Sequence, residues 1–265
     1  MPYQEELRTF QPISLEEMDG VALLDRIDTK FVFGAALMTA LLDAMRGEYR
    51  VLEVNGKRGA DYRTLYYDTV DLRHFRDHHR SLDMRSKVRY RQYVDSDLCF
   101  LEVKRKTAKG RTDKVRLRVA VIPEQMPIEH LNFVQKASGV NEPVFPQIWN
   151  MFHRLTFVHR ERAERVTIDS DVRFEREGRS AVFGPACIAE LKQAPGDPDS
   201  PFAALMKSLG QAPTSMSKYC VGLWKLVPEM KYQEFLSTFH QLAKTQPAAM
   251  AISAAAGSSP EGRKN

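Results

Sequence analysis

The chain has 265 residues, 43% of them hydrophobic and 28% charged, with a net charge of +5. This composition sustains one large domain or two small ones with a real core, and it excludes a disordered chain. The mild basic excess suits nucleic acid, a membrane surface or polyanionic small molecules and does not choose among them.

Cys99, Cys187 and Cys220 lie far apart with no paired spacing, so neither a disulfide framework nor a zinc site is expected and a reducing compartment is the default. The opening MPYQEELRTF has no apolar signal core, and no apolar run is long enough to span a bilayer. The expectation is a cytoplasmic protein, brought to a membrane only by a partner.

Residues 1–20 read as a polar lead-in with a short helix near Leu15. RIDTKFVF, residues 26–33, reads as a strand, and the apolar-periodic AALMTALLDAM after Gly34 as a helix. Strands are expected at 48–54 and 61–68, then a short helix near 70–79. Three strands follow near 84–94, 97–107 and 112–121, linked by Asp95, Ser96 and Asp97, then by Lys109 and Gly110, which are hairpin material. Pro123 and Pro127 begin a helical stretch to about Ala137. Residues 154–162, 164–174, 179–184 and 186–193 again read as strands. Helices are expected near 201–209, over SMSKYCVGLWKLV and over PEMKYQEFLSTFHQLAK. From 245 the Ala, Ser, Gly and Pro tail reads as disordered. Residues 21–244 thus form one α+β domain rich in antiparallel hairpins.

The informative feature is charge at every second position. Strand side chains alternate between faces. Lys87, Arg89 and Arg91 therefore share a face, as do Glu102, Lys104 and Lys106, and again Lys114, Arg116 and Arg118. The intervening Val88, Tyr90, Leu101, Val103, Val115, Leu117 and Val119 make the other face apolar. Hairpins set these rows side by side, where like charges destabilise a sheet. The plain reading is a solvated outer face, but such a face normally mixes both signs. The sharper reading puts helices over the apolar face and makes the charged face line an enclosed cavity for a polyanion, where low-dielectric walls focus the field. Arg supplies a planar fork to phosphate oxygens and Lys a point charge.

Arg26, Asp28 and Lys30 alternate on the first strand, Glu190 and Lys192 share a face, and so do Arg165, Thr167 and Asp169, preceded by Arg160. For each pair alone a structural salt bridge is the commoner explanation. The carboxylates Glu102, Asp169 and Glu190 either neutralise lysines or, as hard oxygen ligands, hold Mg²⁺ or Mn²⁺ with substrate phosphates. Glu190 and Glu102 are the candidate ligands. His74 and His78 have a helical i, i+4 spacing, but no third ligand follows in a recognisable pattern, so packing or solvent-facing roles are expected for them.

In order along residues 20–226, the stretches RIDTKFVF, RTLYYDTVDL, KVRYRQY, FLEVKRK, GRTDKVRLR, RVTID, AELKQ and SMSKYC resemble the VTC domain, the polyphosphate polymerase domain of the vacuolar transporter chaperone complex. That domain is one of the triphosphate tunnel metalloenzymes. The resemblance implies an α+β fold built on a closed eight-stranded antiparallel tunnel with a basic lumen. It implies transfer of the γ-phosphate of ATP to inorganic polyphosphate with Mn²⁺ or Mg²⁺. Carried over by motif, Arg89, Arg91, Lys104 and Lys114 compensate charge on the moving phosphoryl group. Lys30, Lys106, Arg116, Arg160 and Lys218 hold the rest of the substrate, and Glu190 binds the metal; Lys87, Arg118 and Lys192, placed by strand alternation on the charged faces, are further substrate-binding candidates. Where the hydrolase and cyclase branch has Glu-x-Glu-x-Lys, this chain has Arg26-Ile27-Asp28-Thr29-Lys30, which resembles the polymerase branch.

Three readings stand after the sequence: a polyphosphate polymerase, a hydrolase of tripolyphosphate or another triphosphate on the same scaffold, and a non-catalytic binder of polyphosphate or nucleic acid. Nucleic acid is not expected, because a closed barrel excludes duplex and the basic strands carry few of the rings a stacking platform needs.

Overall fold

A computed structural model describes residues 3–19, 26–108, 112–195 and 199–227. The last expected helix, the tail from 245, and Lys109 and Gly110 lie outside the described residues. In chain order the elements are α1 (Gln4–Arg8), β1 (Gln11–Ile13), α2 (Leu15–Asp19), β2 (Ile27–Gly34), α3 (Met38–Met45), β3 (Tyr49–Leu52), β4 (Ala60–Asp68), α4 (Arg73–His79), β5 (Arg85–Tyr93), β6 (Leu98–Lys106), β7 (Thr112–Val119), α5 (Ile128–Ser138), β8 (Phe145–His159), β9 (Glu164–Arg176), β10 (Arg179–Val182), β11 (Ala186–Gln193), α6 (Pro201–Ser208) and α7 (Lys218–Leu226).

The fold is α+β around one large, mainly antiparallel sheet. Its main path runs β2-β11-β9-β8-β4-β5-β6-β7, with β10 on β9, β3 on β8 and β1 parallel to β3. The expected closed barrel is corrected: β2 and β7 end the path and do not pair with each other. The sheet nevertheless curls, because Asp28 on β2 reaches Lys104 on β6 at 3.9 Å. The free edge of β2 is met by the segment before α7, where the Thr214 N–H donates to the Lys30 carbonyl at 2.8 Å.

Alternation decides what each face meets. Phe31, Phe33, Leu155, Phe157, Val166, Ile168, Ala189 and Leu191 pack with Met38, Leu41, Leu42 and Met45 of α3 and with Phe202 and Met206 of α6. Leu65, Tyr67, Val88, Tyr90, Leu101 and Val103 pack against Val134 of α5. Val32, Ile188, Tyr66 and Phe152 share strand faces with Lys30, Glu190, Thr64 and Arg154, and α7 packs on them through Tyr219, Leu223 and Leu226. One helix therefore enters the concave side and fills part of it. Gly222 permits this approach, since a Cβ there would lie 2.5 Å from both Ile148 and Phe174 side-chain atoms.

The polar lead-in is more structured than its composition indicates: Tyr3, Leu7 and Phe10 are buried in the first core. Strand β8 begins at Phe145, nine residues before the predicted start. Pro146 sits where the β4–β8 register shifts, a place where a strand tolerates proline.

Asp68 joins the helices to the sheet. Its buried carboxylate accepts the N–H groups of Thr69, His74 and Phe75 at 2.8, 2.8 and 2.9 Å and the Tyr219 hydroxyl at 2.6 Å. Asp68→Ala leaves these donors unpaired inside the protein and is expected to lower stability by about 3 kcal/mol. A urea titration checks this; a loss below about 1 kcal/mol contradicts the role given to Asp68.

Candidate active site

The three charged rows meet in register. Arg89 lies opposite Glu102, and Glu102 opposite Arg116; Lys87 lies opposite Lys104, and Lys104 opposite Lys114. Glu102 is 2% exposed and is the carboxylate that lets these cations converge. Its Oε2 accepts from Arg89 at 2.8 Å (Nε) and 2.7 Å (a terminal nitrogen), and Arg91 stands 3.8 Å away. Lys114 closes on its Oε1. Burial works to raise the Glu102 carboxyl, but Arg89, Arg91 and Lys114 together hold it well below the usual carboxylate range. With both oxygens engaged by cations, Glu102 fits the organiser of the cluster rather than the metal ligand expected from sequence.

A second cluster forms on Asp169 of β9, also 2% exposed. Arg154 grips it with two contacts of 2.5 and 2.8 Å, and Lys218, the first residue of α7, reaches the same carboxylate. Burial opposes ionisation, yet Arg154 and Lys218 lower the carboxyl to about 2. In a third group, Glu190 contacts Lys192 at 2.9 Å and Lys30 at 4.0 Å.

Beside these clusters a cavity of about 440 Å³ is lined by Asp28, Lys30, His78, Arg85, Lys87, Lys104, Lys106 and the segment 213–216. Lys87 donates to the Ser217 hydroxyl at 3.1 Å and lies 3.5 Å from His78 Nε2. Burial, with Lys30, Lys104 and Arg89, pushes the Lys87 ammonium down to about 7. Burial and then Lys87 and Arg85 push His78 down to about 2, so its ring is neutral. His74 instead lies buried beside Asp68, so the two histidines do not share a site. Among the described residues no three His, Cys, Asp or Glu side chains gather as a metal cage.

Arg89, Arg91, Lys104 and Lys114 lie on neighbouring strands of one face, and Lys30, Lys87, Lys104 and Lys106 line the cavity beside them. Lys192 and Lys218 enter through Glu190 and Asp169. Arg116 lies over the Phe100 ring at 4.9 Å and is exposed, as is Arg118 opposite Phe100. Arg160 is a correction: it is exposed in the turn after β8, where its backbone N–H donates to the Glu48 carbonyl. Arg154, six residues earlier with the same strand parity, is the lumen arginine. Sequence reasoning also passes over Tyr62 and Phe152, rings that lie against Arg91 and Arg154.

The curled sheet thus gathers cations around a few carboxylates on its concave face. The chain belongs to the VTC domain family, whose model matches residues 25–227. No curated protein matches it. Among solved structures, a putative adenylyl cyclase from Hippeastrum, described as having a dominant triphosphatase activity, is similar at 16% identity and a TM-score of 0.47, over 74% of this chain and 94% of its own. A protein from Pyrococcus horikoshii is similar at 12% identity and a TM-score of 0.44, over 76% of this chain and 98% of its own. No helix among the described residues is long and apolar enough to cross a membrane.

Proposed function

We propose that the chain is a polyphosphate polymerase that moves the γ-phosphate of ATP onto a growing inorganic polyphosphate inside the curled sheet. The observation that carries this reading is the concentration of Arg89, Arg91 and Lys114 on one buried carboxylate, beside a cavity lined by Lys30, Lys87, Arg85, Lys104 and Lys106 together with Asp28. Phosphoryl transfer needs the attacking and leaving oxygens in line and the charge on the moving group compensated. Arg89 and Arg91 offer forks, and Lys104 and Lys114 point charges, for that purpose. The acceptor oxygen of a polyphosphate is already anionic, so no side chain has to remove a proton from it.

Mn²⁺ or Mg²⁺ is the metal this family implies. Such an ion needs only one or two carboxylates when substrate phosphates and water complete its shell. Glu190, the acid facing Lys30 and Lys192, fits that single-anchor role. The ion supplies further neutralisation of phosphate oxygens.

Incubation with ATP and Mn²⁺, followed by resolution of the products on a polyphosphate gel, tests the reading. A ladder of long chains supports it. Orthophosphate without a ladder makes the protein a triphosphate hydrolase, and binding without turnover makes it a carrier of polyphosphate.

A titration follows from Lys87. An anion in the cavity restores the charge that burial suppresses, so tripolyphosphate binding at pH 8 is expected to draw about one proton into the site. Lys192, held at about 8 by burial despite Glu190, contributes part of it. Calorimetry in buffers of different ionisation heat measures the uptake. Lys87→Met should remove most of it; an unchanged uptake contradicts the assignment.

A further inference from the structure

The lumen cations answer to separate carboxylates. Arg89, Arg91 and Lys114 gather on Glu102, and Arg154 and Lys218 gather on Asp169. The first group comes from β5 and β7, and the second from β8 and α7, so β4 runs between them. Arg91 and Arg154 repel one another across that strand.

Tyr62 of β4 occupies the gap. Register sets it opposite Tyr93 of β5 on one side and Phe152 of β8 on the other. Its ring is stacked on Phe152, with centroids 5.0 Å apart and planes 9° from parallel. The Arg91 guanidinium carbon lies 5.5 Å from the Tyr62 centroid, and that of Arg154 lies 5.1 Å from it. A single ring therefore carries one arginine from each cluster. Arg91 depends on it most. It is 7% exposed, its nearest carboxylate contact is 3.8 Å, and its Nε meets no hydrogen-bond acceptor among the described residues. Arg89, in contrast, is fixed by two close contacts to Glu102.

We propose that Tyr62 is a positioning residue of the phosphate site: its ring holds Arg91 and Arg154 facing one another across β4, so that both guanidiniums meet the same phosphate chain. The physical basis is attraction of each cation to the negative face of the ring, which is strengthened where water is excluded. It also offsets repulsion between two arginines that have no common carboxylate. The inference rests on the polyphosphate reading of the lumen and adds to it a residue that need not touch substrate.

The test compares Tyr62→Phe, which keeps the ring, with Tyr62→Leu, which keeps apolar bulk without it. Tripolyphosphate affinity, measured by calorimetry, should stay within about twofold for Phe and fall about tenfold or more for Leu. In an Arg91→Ala background the Leu substitution should cost less than about threefold, since the arginine that depends on the ring most is gone and Arg154 keeps its two contacts to Asp169. Full additivity of the two losses overturns the proposal and leaves Tyr62 a packing residue.

The free protein supplies a readout independent of ligand. The Arg91 Nε–Hε resonance should carry a ring-current shift that persists in Tyr62→Phe and disappears in Tyr62→Leu, while that of Arg154, which also lies 5.2 Å from the Phe152 ring, should lose only the part due to Tyr62. Resonances that do not move in Tyr62→Leu overturn the positioning role while leaving the lumen reading intact. Ring-shifted resonances in a wild-type protein that binds no tripolyphosphate overturn the lumen reading, and the phosphate role of Tyr62 with it.

Discussion

Replacing Arg89 by Ala is expected to slow polyphosphate synthesis by about 10³-fold, the range seen when one fixed cation or donor is removed from a developing charge. Arg89 is the best-held cation of the first cluster: burial disfavours its charge, but Glu102 keeps it firmly protonated and fixes the guanidinium at two points. A guanidinium fixed in this way needs little reorganisation to meet a developing charge. Loss of Arg89 also frees Glu102, which then competes with phosphate for Lys114 and Arg91. Arg89→Lys should recover little, because an ammonium keeps the charge but not the planar two-point grip. Initial rates at saturating ATP check this. A loss of less than about tenfold in Arg89→Ala contradicts the charge-compensating role.

Asp169→Asn is expected to be the most destabilising of the lumen substitutions, by about 3–5 kcal/mol, because it strands Arg154 and Lys218 inside the protein. It also releases the start of α7, the helix that fills part of the concave face. Denaturant titration at neutral pH measures the loss, and a value below about 1 kcal/mol contradicts the account. The pH dependence has a definite sign. The Asp169 carboxyl is lowered in the folded protein to about 2, below its unfolded value near 3.9. Its contribution, roughly 2–3 kcal/mol, is therefore present above pH 4 and is lost as pH falls toward and through 2. Asp169→Asn should flatten stability over that acid window.

Much of this site is legible in the sequence because strand alternation is a two-residue code. The rows through Arg89, Glu102 and Lys114 need only the correct parity, and the hairpins supply the register. Arg154 escapes that code because the first nine residues of β8 are not read as strand. The arginine then falls at the predicted edge of a strand instead of its middle, and the family resemblance points to Arg160 in its place. The place of α7 is not legible either. An amphipathic helix declares that it has an apolar face but not which side of a sheet it meets, and here Gly222 and the mixed polar and apolar concave face admit it inside. Closure of the barrel depends on how far the sheet curls, a property of all eight strands of the main path together that no local pattern near β2 or β7 encodes. Tyr62 reads from sequence as one more strand aromatic; only the fold shows that β4 separates two arginine clusters.

The most direct test of the lumen as a phosphate-chain site is a calorimetric titration of tripolyphosphate into the wild-type protein and an Arg89→Ala, Arg91→Ala double variant, repeated with ATP present. Single-site binding that ATP displaces, and that the double variant loses by about 10²-fold or more, is the predicted result. Binding of equal strength in both proteins, or no displacement by ATP, contradicts the account.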